Sequence, residues 1–266
     1  MLLDAFVCVT CGTQYPPALT PPDKCAICLD ERQYVGHEGQ RWTTVSEIAG
    51  SHAARIQELE PGLVAVGIEP AFAIGQRALV SRGLLWDCIP LLDDRAAAAV
   101  AAVGGIEAIA ISHPHYYSSM VEWAKRFDVH VLLHEADREW IMRPTPRVEL
   151  WSGERLRVGD QHELVRLGGH YEGGTVCVWD AGAGGQGCLL AGDIVQVAAD
   201  RDWASFMYSY PNMIPLPARE IRRMRGVVET LGFESVHGAF WGQDMSRDGK
   251  AKVLASADRY LAALSR

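Results

Sequence analysis

Short apolar runs bounded by glycine, with helix-spaced stretches between them, recur along most of the chain. Positions 63–68 and 77–80 read as strands, and a tight turn at Arg82-Gly83 feeds a further run at 84–89, which predicts a hairpin. Asp93 or Asp94 then caps an alanine-rich helix that stops at Gly104-Gly105. The run 106–111 is a buried strand, and Ser119-x-x-Glu122 has the form of a capping box that opens a helix to about Phe127. A strand at 129–133 and a short helix from His134 follow. Between Arg155 and Leu190 the pattern is one of strands and turns: 164–167 runs toward His170, 175–179 comes next, and 188–191 runs into Asp193. An amphipathic helix at 217–231, a last strand at 233–237 and a closing helix at 248–264 complete the chain. Strands alternating with helices predict a layered α/β sandwich.

Upstream, 43–60 has helical spacing, with Val45, Ile48, Ile56 and Leu59 apolar and Thr43 or Thr44 as cap. Pro61-Gly62 ends it. This predicts a linker helix packed on the main unit. Residues 1–36 stand apart. Cys8-x-x-Cys11 and Cys25-x-x-Cys28 are two knuckles, and the proline-rich segment between them is too poor in apolar residues to fold alone. Two such turns complete a tetrahedral sulfur site, so zinc would supply the folding free energy. Iron suits the same four thiolates, and a pair of disulfides is the remaining alternative. A closed four-thiolate site leaves no position for chemistry, so its zinc is expected to be structural.

Length and composition narrow the classes. With 266 residues, 48% hydrophobic and 22% charged, the chain has the make-up of an ordinary globular enzyme. A net charge of −8 argues against a nucleic-acid partner. No apolar window is long enough to span a membrane, and the start lacks a basic segment followed by an apolar one, so neither a membrane partner nor a signal peptide is expected. Seven cysteines, four of them paired as knuckles, fit a reducing compartment, and the expected location is cytoplasmic. Cys88, Cys177 and Cys188 lie in apolar strands and read as small buried hydrophobes.

The chemistry gathers at strand ends. His113 and His115 follow the 106–111 run, and in an extended chain both imidazoles project to one side. Pro114 ends the sheet pairing there. His170 after Gly168-Gly169, Asp193 after Gly192, and His237 before Gly238 also close apolar runs. In this order, Ser-His-Pro-His at 112–115, Gly-Gly-His at 168–170, Gly-Asp at 192–193 and His-Gly at 237–238 resemble the motifs of the metallo-β-lactamase superfamily, over roughly residues 63 to 266.

The resemblance implies a four-layer αβ/βα sandwich with metal at one edge, preceded by a four-cysteine zinc ribbon. The expected division is 1–36 ribbon, 37–62 linker with helix, and 63–266 metallo-β-lactamase-like domain. It also implies a first metal on His113, His115 and His170, with Asp193 and His237 reaching toward a second. In the motif His-x-His-x-Asp-His, however, Tyr117 and Ser118 occupy the last two places. The expectation is therefore a mononuclear centre holding Zn2+ or Fe2+. Three neutral imidazoles on zinc leave one position for water, whose pKa falls to about 7. Asp193 is expected to be either a ligand or the general base. Tyr117 either donates to a developing oxyanion or fills the vacated space. His37, His52, His130, His134 and His162 match no motif position and are assigned no role.

The aromatic stretch from Phe206 to Tyr210, with Met213 and later Trp241, is expected either to line a substrate pocket or to form a core plug or homodimer patch. The leading expectation is a hydrolase acting on a small-molecule ester, thioester or lactam-like substrate. One alternative is an iron oxidoreductase that uses His113, His170 and Asp193 on a thiol substrate. The other is a non-catalytic binding protein.

Overall fold

The period-two stretches become two sheets, and the helix-spaced stretches cover their outer faces. The computed structural model describes residues 3–265; residues 1, 2 and 266, the outermost positions of the expected segments, lie outside them. A seven-stranded sheet runs in the order Val148–Trp151, His130–His134, Ile106–Ala110, Gly83–Trp86, Ala78–Ser81, Leu63–Glu69, Ala53–Glu60. A six-stranded sheet runs Arg155–Val158, His162–Arg166, Thr175–Trp179, Cys188–Gly192, Ser235–Gly238, Asp244–Met245. Leu63, Leu79, Leu84, Trp86, Leu164, Trp179 and Leu190 meet between the sheets. The helices Asp94–Ala102 and Met120–Phe127 pack outside the first sheet, while Ala218–Glu229 and Gly249–Leu264 pack outside the second. The order helix, sheet, sheet, helix is the expected four-layer sandwich.

Two expectations change. Residues 43–60 do not form one helix. Trp42–Thr44 pairs with Asp4–Cys8 and extends the ribbon to a three-stranded sheet, ordered Gln14–Ala18, Asp4–Cys8, Trp42–Thr44. A helix of seven residues, Val45–Ser51, follows, and Ala53–Glu60 becomes the edge strand of the main sheet. The antiparallel register with Leu63–Glu69 outweighs local helix preference, because pairing at the sheet edge buries Ala54 and packs Ile56 against the core. No separate linker remains between the two units. Thr44 does cap the helix, in a capping box with Glu47. The other change is at Ser119, whose side chain makes no cap bond; its hydroxyl donates to the Ile89 carbonyl at 2.8 Å.

In the ribbon the four cysteine sulfurs lie within 4.8 Å of one another. Cys8 Sγ and Cys28 Sγ are 3.5 Å apart, and Cys11 Sγ and Cys25 Sγ 3.6 Å apart. A disulfide needs about 2.05 Å, so the bonded alternative is excluded and a metal-sized gap is left. Gln40 Nε2 donates to Cys8 Sγ at 3.2 Å and the Tyr15 hydroxyl to Cys25 Sγ at 3.5 Å, the pattern of donors that stabilises thiolates. Cys88, Cys177 and Cys188 are buried, as expected. No helix among the described residues is long and apolar enough to cross a membrane.

Candidate metal centre

The strand Ile106–Ala110 delivers the chain to His113 in an extended conformation, and Pro114–Tyr116 then closes into one tight 3-10 turn. That turn, rather than strand alternation, sets the second histidine: the His113 and His115 rings end with centroids 5.0 Å apart. From the other sheet, Gly169 brings in His170 with a φ of +84°. A Cβ there would lie 2.9 Å from Leu216 Cδ1, so the chain hugs the outer helical layer. Gly192, at φ +58°, brings in Asp193, and a Cβ on it would stand 2.7 Å from Ser112 Oγ. Only glycine lets the two sheets approach this closely here.

One ligand atom from each of His113, His115 and His170 lies within a 4.8 Å cluster. His170 Nε2 and His115 Nδ1 face each other at 3.3 Å, and His113 Nε2 stands 3.3 Å from Asp193 Oδ1. The outward nitrogens are already engaged. His170 Nδ1 donates to the Met207 carbonyl at 3.2 Å, His115 Nε2 meets the Tyr171 hydroxyl at 3.1 Å, and His113 Nδ1 meets Ser112 Oγ at 3.0 Å. The Met207 carbonyl holds His170 in the tautomer whose Nε2 lone pair points into the cluster, and the Ser112 and Tyr171 hydroxyls can accept from the outward nitrogens of the other two rings. Burial drives the His113 and His115 pKa values well below the ordinary range, aided by the charge of His170. Burial also lowers His170, against the pull of Asp193. All three shifts favour the neutral imidazole. Burial raises the Asp193 pKa, which His170 and Tyr116 partly offset.

His113 Nε2 and Asp193 Oδ1 are buried and find no hydrogen-bond partner among the described residues. Orphaned acceptors of this kind are costly unless an ion takes them up. Three imidazole nitrogens, with a carboxylate oxygen beside them, therefore fit a divalent metal of the zinc or ferrous type.

Two other expected site residues are not brought to this cluster. Tyr117 lies to one side, where the charges it feels after burial are those of Asp137 and Tyr171. Its neighbour Tyr116 takes the inner place. The Tyr116 ring is 4.5 Å from that of His113, and its hydroxyl feels Asp193 and Asp87. The 3-10 turn rotates the side chains by one position from the extended-chain reading. Ser118 points away and donates to the Gly12 carbonyl of the ribbon at 3.3 Å. His237 also stands apart, grouped with Glu60 and Cys188. Its Nδ1 meets Asp244 Oδ1 at 2.8 Å. Burial opposes charge on His237, but Asp244, Cys188 and Glu60 outweigh it and push the pKa up to about 11.

A cavity of about 140 Å³ opens onto the cluster, walled by Gln33, Ile74, His115, His170, Asp193 and Tyr210. Of the aromatic stretch, Tyr210 therefore lines the pocket, and its hydroxyl donates to the Asp193 carbonyl at 2.9 Å. Phe206 is core and Met213 is exposed, while Trp241 packs against the inter-sheet core beneath the Arg55 guanidinium.

Sequence reading missed several residues. Asp87, at the exit of Gly83–Trp86, accepts from the Ser112 backbone at 2.7 Å and so stands behind His113. Burial raises its pKa to about 8. A lone acid closing an apolar strand was the available signal. Tyr171 and the ribbon residues Arg32 and Gln33 carry no motif. They reach the site only through tertiary packing: Asn212 Nδ2 donates to the Glu31 and Gln33 carbonyls at 2.8 and 2.9 Å, and the Tyr208 hydroxyl donates to Glu31 Oε1 at 2.6 Å.

YmaE of Bacillus subtilis strain 168, itself named an uncharacterized protein, is 44% identical over 266 residues, covering 98% of this chain and 97% of its own. The chain belongs to the YmaE family. No protein-family model matches it. Among solved structures it is similar to VMB-1, with a TM-score of 0.58 and 12% identity over 80% of this chain and 98% of that one. The DIM-1 metallo-β-lactamase gives 0.57 and 12% over 79% and 98%. MEM-A1, a subclass B3 metallo-β-lactamase isolated from a soil metagenome library, gives 0.52 and 18% over 77% and 94%. The fold is that of the metallo-β-lactamases, with a four-cysteine cluster added near the N-terminus.

Proposed function

We propose that the protein is a metal-dependent hydrolase whose single catalytic ion is held by His113, His115 and His170, beside Asp193. The observation that carries this reading is the convergence of one nitrogen from each ring within 4.8 Å, each ring engaged from behind by a separate partner. Such an ion supplies an activated water near neutral pH and polarises a carbonyl oxygen. The chain's own groups do the rest. Asp193 Oδ1, unpartnered and facing the cluster, takes the proton of the attacking water. Tyr116, with a buried hydroxyl lacking a partner among the described residues, donates toward charge developing on the substrate. The small cavity, with Ile74 and Phe240 on its walls, admits one compact acyl group and keeps bulk water away. A small ester, thioester or lactam-like molecule fits this space, and the cytoplasm fits the thiol-rich ribbon. Tyr117 and Ser118, turned away from the cluster, favour one ion over two.

The test is metal content per chain together with hydrolysis of small esters and thioesters, on the wild type and on His113→Ala/His115→Ala. One metal equivalent and all hydrolysis lost in the variant is the expected result. Equal metal content in both proteins would overturn the reading. Iron in place of zinc, with oxygen uptake on added thiols, would make the site an oxidoreductase.

A further inference from the structure

Glu60, Cys188 and His237 form a third donor cluster, away from both the ribbon and the histidine centre. Glu60 ends the edge strand of the seven-stranded sheet. Cys188 and His237 lie on the adjacent parallel strands Cys188–Gly192 and Ser235–Gly238 of the six-stranded sheet, where Cys188 is opposite Ser235 and Leu190 opposite His237. One ligand atom from each of the three falls within 4.8 Å of the others.

Glu60 Oε1 and His237 Nε2 are 3.5 Å apart. Both atoms are buried and neither has a hydrogen-bond partner among the described residues. A charge-assisted hydrogen bond would close to about 2.7–2.9 Å. The observed gap instead matches those between donors in the other two clusters, 3.5 and 3.6 Å between ribbon sulfurs and 3.3 Å between His115 and His170. Donors sharing one tetrahedral zinc at about 2.0–2.3 Å stand roughly 3.3–3.8 Å apart, so the spacing is that of a ligand pair.

The surroundings prepare each donor. His237 Nδ1 meets Asp244 Oδ1 at 2.8 Å, and Arg77 in turn holds Asp244; with the Nδ1 proton held there, a bound ion would take the place of the Nε2 proton that faces Glu60 and Cys188. The second oxygen of Glu60 accepts from the Ala183 backbone at 3.1 Å. The turn carrying Ala183 is pressed onto Cys188: a Cβ on Gly182 would lie 2.3 Å from Cys188 Cβ. A carboxylate and a thiolate cancel a divalent ion, as Arg77 cancels Asp244, so the buried assembly is neutral when loaded. One sulfur, one nitrogen and one oxygen donor suit zinc and not magnesium or calcium.

We infer that Glu60, Cys188 and His237 supply three of the four donors of a zinc-type ion that clips the edge strand of one sheet to the inner strands of the other. Substrate does not reach it, because the turn above Cys188 closes the approach. The ion joins residues 60, 188 and 237, far apart in sequence, so binding stabilises the docked sheets.

Cadmium NMR on the full chain tests this, since cadmium shifts separate four-sulfur, mixed and nitrogen–oxygen donor sets. The wild type is expected to show a mixed-donor resonance, well upfield of the ribbon signal. Cys188→Ser and Glu60→Gln should each remove that resonance alone and lower zinc content by one equivalent relative to wild type. These differences do not depend on whether the histidine centre holds an ion. No mixed-donor resonance in the wild type would overturn the inference even if both variants failed to fold. Unchanged zinc content in folded variants would also overturn it, and would leave His237 as a buried imidazolium between Glu60 and Asp244.

Discussion

The guanidinium of Arg32 lies 3.9 Å above the ring of Tyr171, and Tyr171 is the residue whose hydroxyl meets His115. Arg32 belongs to the ribbon and Tyr171 to the main sandwich, so the four-cysteine unit reaches the metal centre through this stack, as well as through Arg32 Nη1 donating to the His170 carbonyl at 3.5 Å and Gln33 on the cavity wall. Asp30 brackets Arg32 from the other side with Oδ2 2.9 Å from Nη2. The ribbon is therefore a wall and a brace of the site.

Replacing Arg32 with Leu removes a largely desolvated cation–π contact worth about 1–2 kcal/mol. The expected result is about a tenfold weaker hold on the histidine-centre metal with the ribbon still loaded, read by chelator competition. An unchanged chelation profile would mean that Tyr171 is positioned without Arg32.

Tyr171→Phe deletes the partner of His115 Nε2 while keeping the ring under Arg32. Loss of such an outer partner typically weakens metal binding by about 10–100-fold. Isothermal titration of the metal-stripped protein measures it, and the ribbon should titrate as in wild type.

Asp193→Asn keeps the shape of the carboxylate but cannot take a proton. If Asp193 is the base, turnover on a small ester falls by about 10²–10⁴-fold, and the loss exceeds any fall in metal content. Equal losses in both would make Asp193 a ligand first.

Asp87 gives a pH signature. Its carboxyl is held near 8 in the folded chain against an ordinary value of 3.8. Between about pH 4 and 8 the folded state keeps a proton that the unfolded state releases, so stability falls as pH rises through that window, by up to about 1.4 kcal/mol per pH unit. Asp87→Asn, which still accepts from the Ser112 backbone, should flatten this contribution. Urea midpoints at pH 5 and 8 check it: the variant should gain on wild type at the higher pH.

The sandwich was legible in the sequence because its strands are short apolar runs stopped by glycine, and His170 and Asp193 directly follow two of those stops. Residues 53–60 were misread because Ile56 and Leu59 satisfy a helical spacing as well as a strand. Only the neighbouring strand Leu63–Glu69 decides between them. Tyr117 is singled out by its place in the motif, where the resemblance has an aspartate, but the 3-10 turn at Pro114–Tyr116 gives the inner position to Tyr116. His237 was placed with the histidines by motif order alone, whereas its rung beside Leu190 aims it between the sheets. Arg32 and Gln33 could not be found by pattern, since their role exists only once the ribbon packs against Tyr171, Tyr208 and Asn212.

The distribution of donors along the chain also sets an order of assembly. All four ribbon cysteines lie within the first 28 residues, so that site is complete while most of the chain is still unmade. The histidine centre needs His113 and His115 from one sheet and His170 and Asp193 from the other, joined where the Thr175 backbone donates to the Ser112 carbonyl at 2.9 Å. Such sequence-distant contacts form late. The ribbon's four sulfurs are thus on hand long before the histidine centre's donors, while its wall residues take their place only when Tyr208 and Asn212 arrive to hold Glu31 and Gln33.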